Sequence, residues 1–223
     1  MKFGVLIVGI VGVCAVSGAA LAQDVPPARV GFQMAFRTGY SIPMGTLAKG
    51  VWVDGSDLKM SDTVTGQVPI IVDIGGKVIP ELFIGGYFGL GFGGTAGKIN
   101  DECKATNTSC LGLSLQLGIE AQYHILPRGS VNPWLGYGIG VESLGVSGAQ
   151  GDTTQTTTFT GYQFARLSAG ADFRINRGFG VGPFVEYSLG RYNTVHGDGK
   201  DFDLPNKAGH QWLTLGVRFV LFP

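Results

Sequence analysis

Residues 111–125 alternate without error between apolar and small or polar side chains. Leucine, isoleucine, alanine and tyrosine occupy the odd positions from Leu111 to Ile125, and glycine, serine, glutamine, glutamate and histidine occupy the even positions from Gly112 to His124. A period of two puts the two sets on opposite faces of a β-strand, whereas a helix would spread the leucines around every face. Strands of globular sheets usually have ~5–6 residues, and a strand that crosses a bilayer at a tilt needs ~9–11. The stretch is therefore long enough to span a membrane.

The same alternation recurs along the chain and predicts eight strands. They cover about residues 29–40, 65–74, 81–93, 111–126, 132–144, 162–175, 179–189 and 211–222. The sixth predicted strand changes register near Ala165, which indicates a β-bulge. Pro183 is the weak point of the seventh, because proline has no N–H to donate to the ladder.

The connections between the predicted strands alternate in length. Long connections cover residues 41–64, 94–109, 145–158 and 191–209, and short turns begin at Gly75, Pro127 and Asn176. This rhythm is typical of an up-and-down antiparallel sheet, in which every strand follows its neighbour. An even number of strands would leave both ends of a barrel on the same side of a membrane, with the four long connections on the other side.

The composition of the less apolar face of the strands distinguishes a membrane barrel from a soluble one. It consists mainly of glycine, serine, glutamine and alanine, with about one charge per strand, whereas a water-exposed face would carry more lysine and glutamate. Small side chains suit the narrow interior of eight strands, and the almost purely apolar opposite face suits lipid. Because an open sheet edge is untenable in lipid, the sheet must close. The predicted fold is all-β, a closed antiparallel eight-stranded up-and-down transmembrane β-barrel. A secreted soluble barrel is the alternative.

Composition agrees with a protein that exposes little of its surface to water. Charged residues form 14% of the 223 residues and glycine contributes 38, whereas soluble domains carry about 25% charged residues. The formal net charge is zero, so bulk electrostatics gives no reason to expect a nucleic-acid partner.

The N-terminal residues 1–22 are predicted to form a secretory signal peptide. Lys2 precedes an apolar run that ends in Ala20-Leu21-Ala22, which fits cleavage before Gln23. Residues 23–28 would then be a periplasmic lead-in and residues 29–223 the barrel. A retained membrane anchor is the alternative.

Two cysteines, Cys103 and Cys110, lie in the second long connection, and Cys14 would leave with the signal peptide. Exported proteins meet oxidising compartments, so we predict a local disulfide between Cys103 and Cys110. Two free thiols, or metal ligands, are the alternatives. Because no histidine or third cysteine lies nearby in the sequence, a metal site is the weaker of them.

Four motifs add a resemblance to a known class of proteins. They are Arg37-Thr38-Gly39-Tyr40, WLGYGIGVE over 134–142, GPFVEYSLG over 182–190 and the closing GVRFVLF over 216–222. The chain from residue 29 to 222 resembles the small outer-membrane barrels of Gram-negative bacteria, the OmpA/OmpX/OmpW class. The resemblance implies an outer-membrane location, contact with outer-membrane lipid and the assembly machinery, and four surface loops able to bind an extracellular partner. The chain departs from the class in lacking a peptidoglycan-binding domain and in placing Pro223 after Phe222.

Charged residues at inward positions form the candidate site. The eight predicted interior charges are Arg37, Asp73, Glu120, Glu142, Arg166, Asp172, Glu186 and Arg218. Counting residues from the strand ends puts Arg37 and Glu186 at one height, and Glu142 and Arg166 at another. We expect these charges to pair and plug the interior, because an unpaired buried charge is costly. The alternative is that water solvates each of them in a glycine-lined cavity.

Three functions are compatible with these features. The first is a structural or surface-interaction barrel, and the second is a small porin or channel for small or apolar molecules. The third is a lipid-modifying enzyme, which needs a nucleophile beside a histidine. His210 next to the last strand is the only candidate, because His124 points inward near the short turns and His196 lies in the fourth loop. The sequence has no phosphate loop, metal-ligand spacing or carboxylate dyad, so we predict a protein without enzymatic activity, cofactor or metal.

Overall fold

The computed structural model describes residues 30–50, 55–105, 108–150, 153–197, 200–204 and 206–222. The predicted signal peptide over 1–22, the lead-in over 23–28 and Pro223 lie outside these residues, so both segments stay predictions.

In chain order, the elements are β1 (Gly31–Ala48), β2 (Leu58–Lys59), β3 (Val64–Ile79), β4 (Leu82–Thr95), α1 (Gly97–Ala105), β5 (Ser109–His124), β6 (Val131–Gln150), β7 (Thr153–Arg174), β8 (Phe179–Gly197), β9 (Lys200–Asp203) and β10 (Gly209–Leu221). Eight of these strands, β1, β3 to β8 and β10, form the wall, while β2 pairs with β1 and β9 with β8. None of the helices in the described ranges is long and apolar enough to cross a membrane.

The wall is closed because β10 pairs antiparallel with both β8 and β1. Following paired residues once around the wall from Phe32 leads back to β1 at Ile42, ten residues farther along. This stagger tilts the strands, as closure of a barrel requires. The predicted antiparallel eight-stranded barrel is confirmed.

The two faces of the wall have the predicted directions. Leu117 and Ile119 on β5 are 52% and 65% exposed on the outside, whereas Glu120 and Gln122, at the alternate positions that follow them, are buried in the interior. The same contrast runs around the barrel, so the outer surface is a continuous apolar band of leucine, isoleucine, valine and aromatic side chains. Such a band is typical of a barrel surrounded by lipid.

The strands are longer at one end than the alternation predicts. We call this end, which carries the loops after β1, β4, β6 and β8, the long-loop end, and the opposite end the short-turn end. The connection predicted over 145–158 is mostly a hairpin, since β6 runs to Gln150 and β7 begins at Thr153. The prediction failed because the outward residues there, such as Ser147 and Thr156, are polar although the ladder continues.

The short turn predicted to begin at Gly75 is also wrong, because Gly75, Gly76 and Lys77 lie within β3. The glycine has a packing role there. A Cβ on Gly75 would lie 2.8 Å from the ring of Phe83, which points into the barrel from β4. Lys77 therefore occupies an inward position and is buried.

Two irregularities are located as predicted. The β7 ladder shifts register between Gln163 and Ala165, and the outward Tyr137 hydroxyl donates to the Phe164 carbonyl at this bulge, over 3.1 Å. Pro183 lies within β8, and the pairing of β8 with β7 passes from Phe184 to Val181 without a pair at the proline.

The second long loop contains α1 and is covalently closed. The predicted disulfide between Cys103 and Cys110 is present and joins α1 to β5, with a Cα–Cα distance of 6.2 Å. The Ala96 amide, just before the helix, donates to the Thr63 carbonyl over 3.1 Å. The second loop is therefore attached to the first.

Candidate functional site: the barrel interior

The structure places all eight predicted charges inside the barrel, each at most 5% exposed. Arg37 is at the centre of them. Its Nη1 lies 2.6 Å from Glu186 Oε2, its Nη2 lies 2.6 Å from Asp73 Oδ1, and Glu120 Oε2 is 3.5 Å away. These groups meet because they occupy inward positions on β1, β3, β5 and β8. Counting along the strands predicts Arg37 and Glu186 at one height, and they are in contact.

Arg166 joins the same cluster from β7. Its Nε lies 2.8 Å from Glu186 Oε2, and its guanidinium carbon lies 3.9 Å from the centre of the Tyr87 ring. The Tyr87 hydroxyl donates to Gln163 Oε1 over 2.6 Å. A cation over an aromatic face is favourable, so Tyr87 and Glu186 hold Arg166 from two sides.

Arg218 extends the network toward the short-turn end. It donates from Nη1 to Asp172 Oδ2 over 2.8 Å and from Nη2 to Gln122 Oε1 over 2.7 Å. Gln122 in turn donates to Glu120 Oε1 over 2.7 Å, and the guanidinium of Arg218 lies 4.4 Å above the Trp134 ring. One network therefore connects all three interior arginines.

Glu142 has different partners from those predicted. Its Oε1 accepts hydrogen bonds from the Tyr192 hydroxyl and from Trp212 Nε1, each over 2.7 Å, and its Oε2 lies 3.3 Å from His210 Nε2. The predicted pairing with Arg166 is wrong because counting along each strand ignores the stagger between strands. Arg166 pairs with Gly138, whereas Glu142 pairs with Gly161.

Sequence reasoning missed the partners of Glu142, which with it form the Glu142 cluster near the long-loop end. Tyr192 falls in the segment predicted as the fourth loop, and His210 is predicted only as a rim residue. The His210 ring stacks on the Tyr192 ring at 4.0 Å, and both are buried. The continuing inward alternation of β8 is the signal that would have found Tyr192.

Large aromatic side chains lie across the interior glycines. A Cβ on Gly118 or Gly140 would lie 2.5 Å from the Tyr87 hydroxyl, and one on Gly170 would lie 2.8 Å from the Trp134 ring. Small and large residues thus face one another across the barrel, as close packing requires.

A buried apolar cluster covers the network at the long-loop end, and we call it the cap. Its members come from the wall strands and from the loop segments that follow β1 and β8. They are Leu47, Ala48, Leu58, Met60, Val64, Leu144, Phe159, Tyr192, Leu204 and Trp212. Tyr192 and Trp212 belong to both layers, so the cap rests directly on the Glu142 cluster.

A small polar cavity lies inside the barrel, in the half toward the long-loop end. Among its lining residues, Ser41 and Thr214 have their hydroxyl oxygens 2.7 Å apart, and Ser114 donates to Gln67 Oε1 over 2.6 Å. Glu186 and Trp212 also line it, so the cavity lies between the arginine cluster and the cap.

The histidines do not converge on a reactive group. His210 is 1% exposed beneath the cap, and the buried His124 lies 2.8 Å from the Asn132 amide nitrogen. His196 is exposed and contacts Asp201 at 2.6 Å. Within the described ranges, no group of three or more His, Cys, Asp or Glu residues is arranged to hold a metal ion.

No protein-family model matches the sequence, and no curated protein matches it. Among solved structures, the outer membrane protein OprG from Pseudomonas aeruginosa is similar over 88% of this chain and 99% of that one, with a TM-score of 0.50 and 12% identity. Neisserial surface protein A gives a TM-score of 0.48 at 14% identity, over 85% of this chain and 97% of that one. The Ail protein of Yersinia pestis, solved with the heparin analogue sucrose octasulfate, gives a TM-score of 0.43 at 13% identity, over 84% of this chain and 98% of that one. At such identities the likeness concerns the fold, which is that of the small outer-membrane β-barrels.

Proposed function

We propose that this protein is an integral outer-membrane β-barrel that is closed to ions and presents its long-loop end outside the cell as a structured interaction surface. The apolar outer band supports the membrane location, since lipid is the solvent that such a surface requires. The even number of wall strands leaves both barrel ends on the side of the short turns, and we assign that side to the periplasm.

The observation that carries the closed state is the cap. Met60 and Leu144 are fully buried within it, and Leu204 is 5% exposed. An ion entering from the long-loop end would lose its hydration against a packed apolar layer, and burying a charge without partners is very costly. Leu58, Met60 and Leu204 of the cap belong to the loops and pack against wall-strand residues, so the loops both close the barrel and are fixed by it.

The arginine network supplies a second barrier beneath the cap. Arg37, Arg166 and Arg218 each contact at least one carboxylate. The side chains of Tyr87 and Trp134 occupy the space beside the interior glycines. An interior of eight strands is only wide enough to be filled by side chains. The packing therefore favours a plug over a water-filled channel.

The order at the long-loop end supports an interaction role. Helix α1 is attached through the disulfide and through the Ala96–Thr63 hydrogen bond, and β9 extends the sheet beyond β10. Loops held in this way lose little conformational entropy on binding. We infer that the end recognises a surface partner by a preformed shape.

A small pore is the second candidate, and the polar cavity lined by Ser41, Gln67 and Thr214 favours it. Such a cavity could form part of a path for small molecules or ions if the cap and the arginine network opened. Single-channel recording separates the two functions. We expect the refolded protein to be silent in a planar bilayer, whereas steady openings of the unmodified protein would establish the pore.

A matched pair of variants sharpens this experiment. Met60→Gly and Leu144→Gly remove side chains from the cap, whereas Leu117→Gly removes one of similar size from the lipid-facing surface, where Leu117 is 52% exposed. Openings that appear only when the cap is damaged would support the closed state. Orientation is tested by maleimide labelling of intact cells, in which Lys200→Cys should react and Arg128→Cys should not.

A further inference from the structure

Two neighbouring turns at the short-turn end both contain Arg-Gly. Arg128 lies in the turn between β5 and β6, and Arg177 lies in the turn between β7 and β8. Both arginines are exposed. Neither is used by the barrel interior or by the proposed interaction surface.

A third arginine ties the two turns together. Arg174 donates from Nη2 to the Pro127 carbonyl over 3.1 Å and from Nη1 to the Arg177 carbonyl over 3.5 Å. Its guanidinium also lies 4.4 Å above the ring of Phe222, whose amide donates to the Gly178 carbonyl over 2.9 Å. One side chain thus holds both turns and the end of the last strand in one sector of the rim.

This end of the barrel carries an excess of positive charge. Among the described residues at this end, Lys77, Arg128, Arg174, Arg177 and Arg218 are positive and Glu81 and Asp172 are negative, so the net charge there is three positive in a chain whose total is zero. Within the part of the chain that the structure describes, no ion pair involves Arg128, Arg174 or Arg177. The carbonyl partners of Arg174 carry no formal charge, and Asp172, the carboxylate that acts on Arg174, is paired with Arg218.

Apolar residues beside the two turns set the depth of these charges in the membrane. Leu126 is 55% exposed and Ile175 is 61% exposed on the outer surface. Because these side chains require lipid, the neighbouring arginines lie at the level of the headgroups. Arginine is suited to phosphate groups because its planar donors match them in pairs.

The geometry points to a binding site for the phosphate group of an anionic phospholipid, formed by Arg128 and Arg177 at the short-turn end on two turns that Arg174 holds together. This inference rests on the proposed function, which puts that end at the inner leaflet of the outer membrane. The site would fix the depth and rotation of the barrel by selecting negatively charged lipid on one side.

Electron paramagnetic resonance with spin-labelled lipids tests the site directly. The protein is refolded in phosphatidylcholine vesicles, and the association of spin-labelled phosphatidylglycerol is compared with that of spin-labelled phosphatidylcholine. We expect the unmodified protein to prefer phosphatidylglycerol, and R128Q/R177Q to reduce that preference by up to about fivefold per arginine. The matched control is R191Q/K207Q, which removes two exposed charges at the long-loop end and should keep the preference.

Equal preference for the two lipids by the unmodified protein would overturn the site. An equal loss in R128Q/R177Q and R191Q/K207Q would overturn it too, since net charge would then explain the result. Insertion is followed separately by the mobility shift of the folded barrel on unheated gels. A protein that fails to insert contradicts the proposed function, whereas an inserted barrel without lipid preference contradicts the site alone.

Discussion

One carboxylate oxygen of Glu186 serves two arginines, since Oε2 lies 2.6 Å from Arg37 Nη1 and 2.8 Å from Arg166 Nε. Arg37 also contacts Asp73, but Arg166 has no second carboxylate among the ion pairs of the described ranges. Removing the Glu186 carboxylate would therefore leave Arg166 buried without a counter-charge.

We expect Glu186→Ala to lower the free energy of unfolding by about 3–5 kcal/mol, the cost of breaking a buried pair from one side. Denaturant titration of the barrel in lipid vesicles measures it. Asp201→Ala is the control, because its pair with His196 is exposed and such pairs contribute ~0–1 kcal/mol. If Glu186→Ala left the free energy of unfolding unchanged and the unmodified protein conducted steadily, the interior would be water-filled and not plugged by paired charges.

The network shows what the sequence could and could not predict. Period-two alternation predicts an inward direction for all eight charges, and each of them is buried in the structure. Contacts across the barrel depend on the stagger between strands, which has no signature in a single strand. Arg37 and Glu186 meet as counted, whereas Glu142 lies beside Tyr192 and not beside Arg166.

The interior glycines give a second prediction. A Cβ on Gly140 would lie 2.5 Å from the Tyr87 hydroxyl and would also meet the backbone of β5, so Gly140→Ala should lower the free energy of unfolding by about 1–3 kcal/mol. In Gly145→Ala the new methyl group would have its nearest neighbours at 3.7 Å, and we expect little change. Equal stability of the two variants would show that the interior is loosely packed.

The bulge in β7 gives a third prediction. Tyr137 lies on the lipid-facing surface, and its hydroxyl donates to the Phe164 carbonyl. Phe164 lies where the pairing of β7 with β8 shifts register. Lipid offers no substitute donor, so Tyr137→Phe should cost about 1–2 kcal/mol. Tyr162→Phe removes the hydroxyl of a tyrosine that is 62% exposed and serves as the control. The same loss in both variants would assign the effect to the membrane interface and not to the bulge.

The long-loop end was the least predictable part of the chain. Leu47 and Met60 lie in a segment that the glycine, aspartate and serine content marked as a loop, and Leu204 lies in another. Their burial depends on two loops that meet only after the barrel has closed. Local composition therefore describes these segments as polar connections, although they supply the residues that close the interior.

The last prediction concerns the disulfide, which constrains one loop and not the barrel. Cys103 and Cys110 are separated by 7 positions in the sequence, and closing so short a loop contributes at most about 2–3 kcal/mol in the chain-entropy model. Barrel closure depends instead on the ladder between β1 and β10, which the cysteines do not touch. We therefore expect reduction to leave the gel mobility of the folded barrel unchanged while proteolysis near α1 becomes faster. Thiol labelling of the denatured protein without reductant should find Cys103 and Cys110 unreactive, and labelling of both would refute the bond. Loss of the folded form on reduction would show that the second loop supports the wall itself.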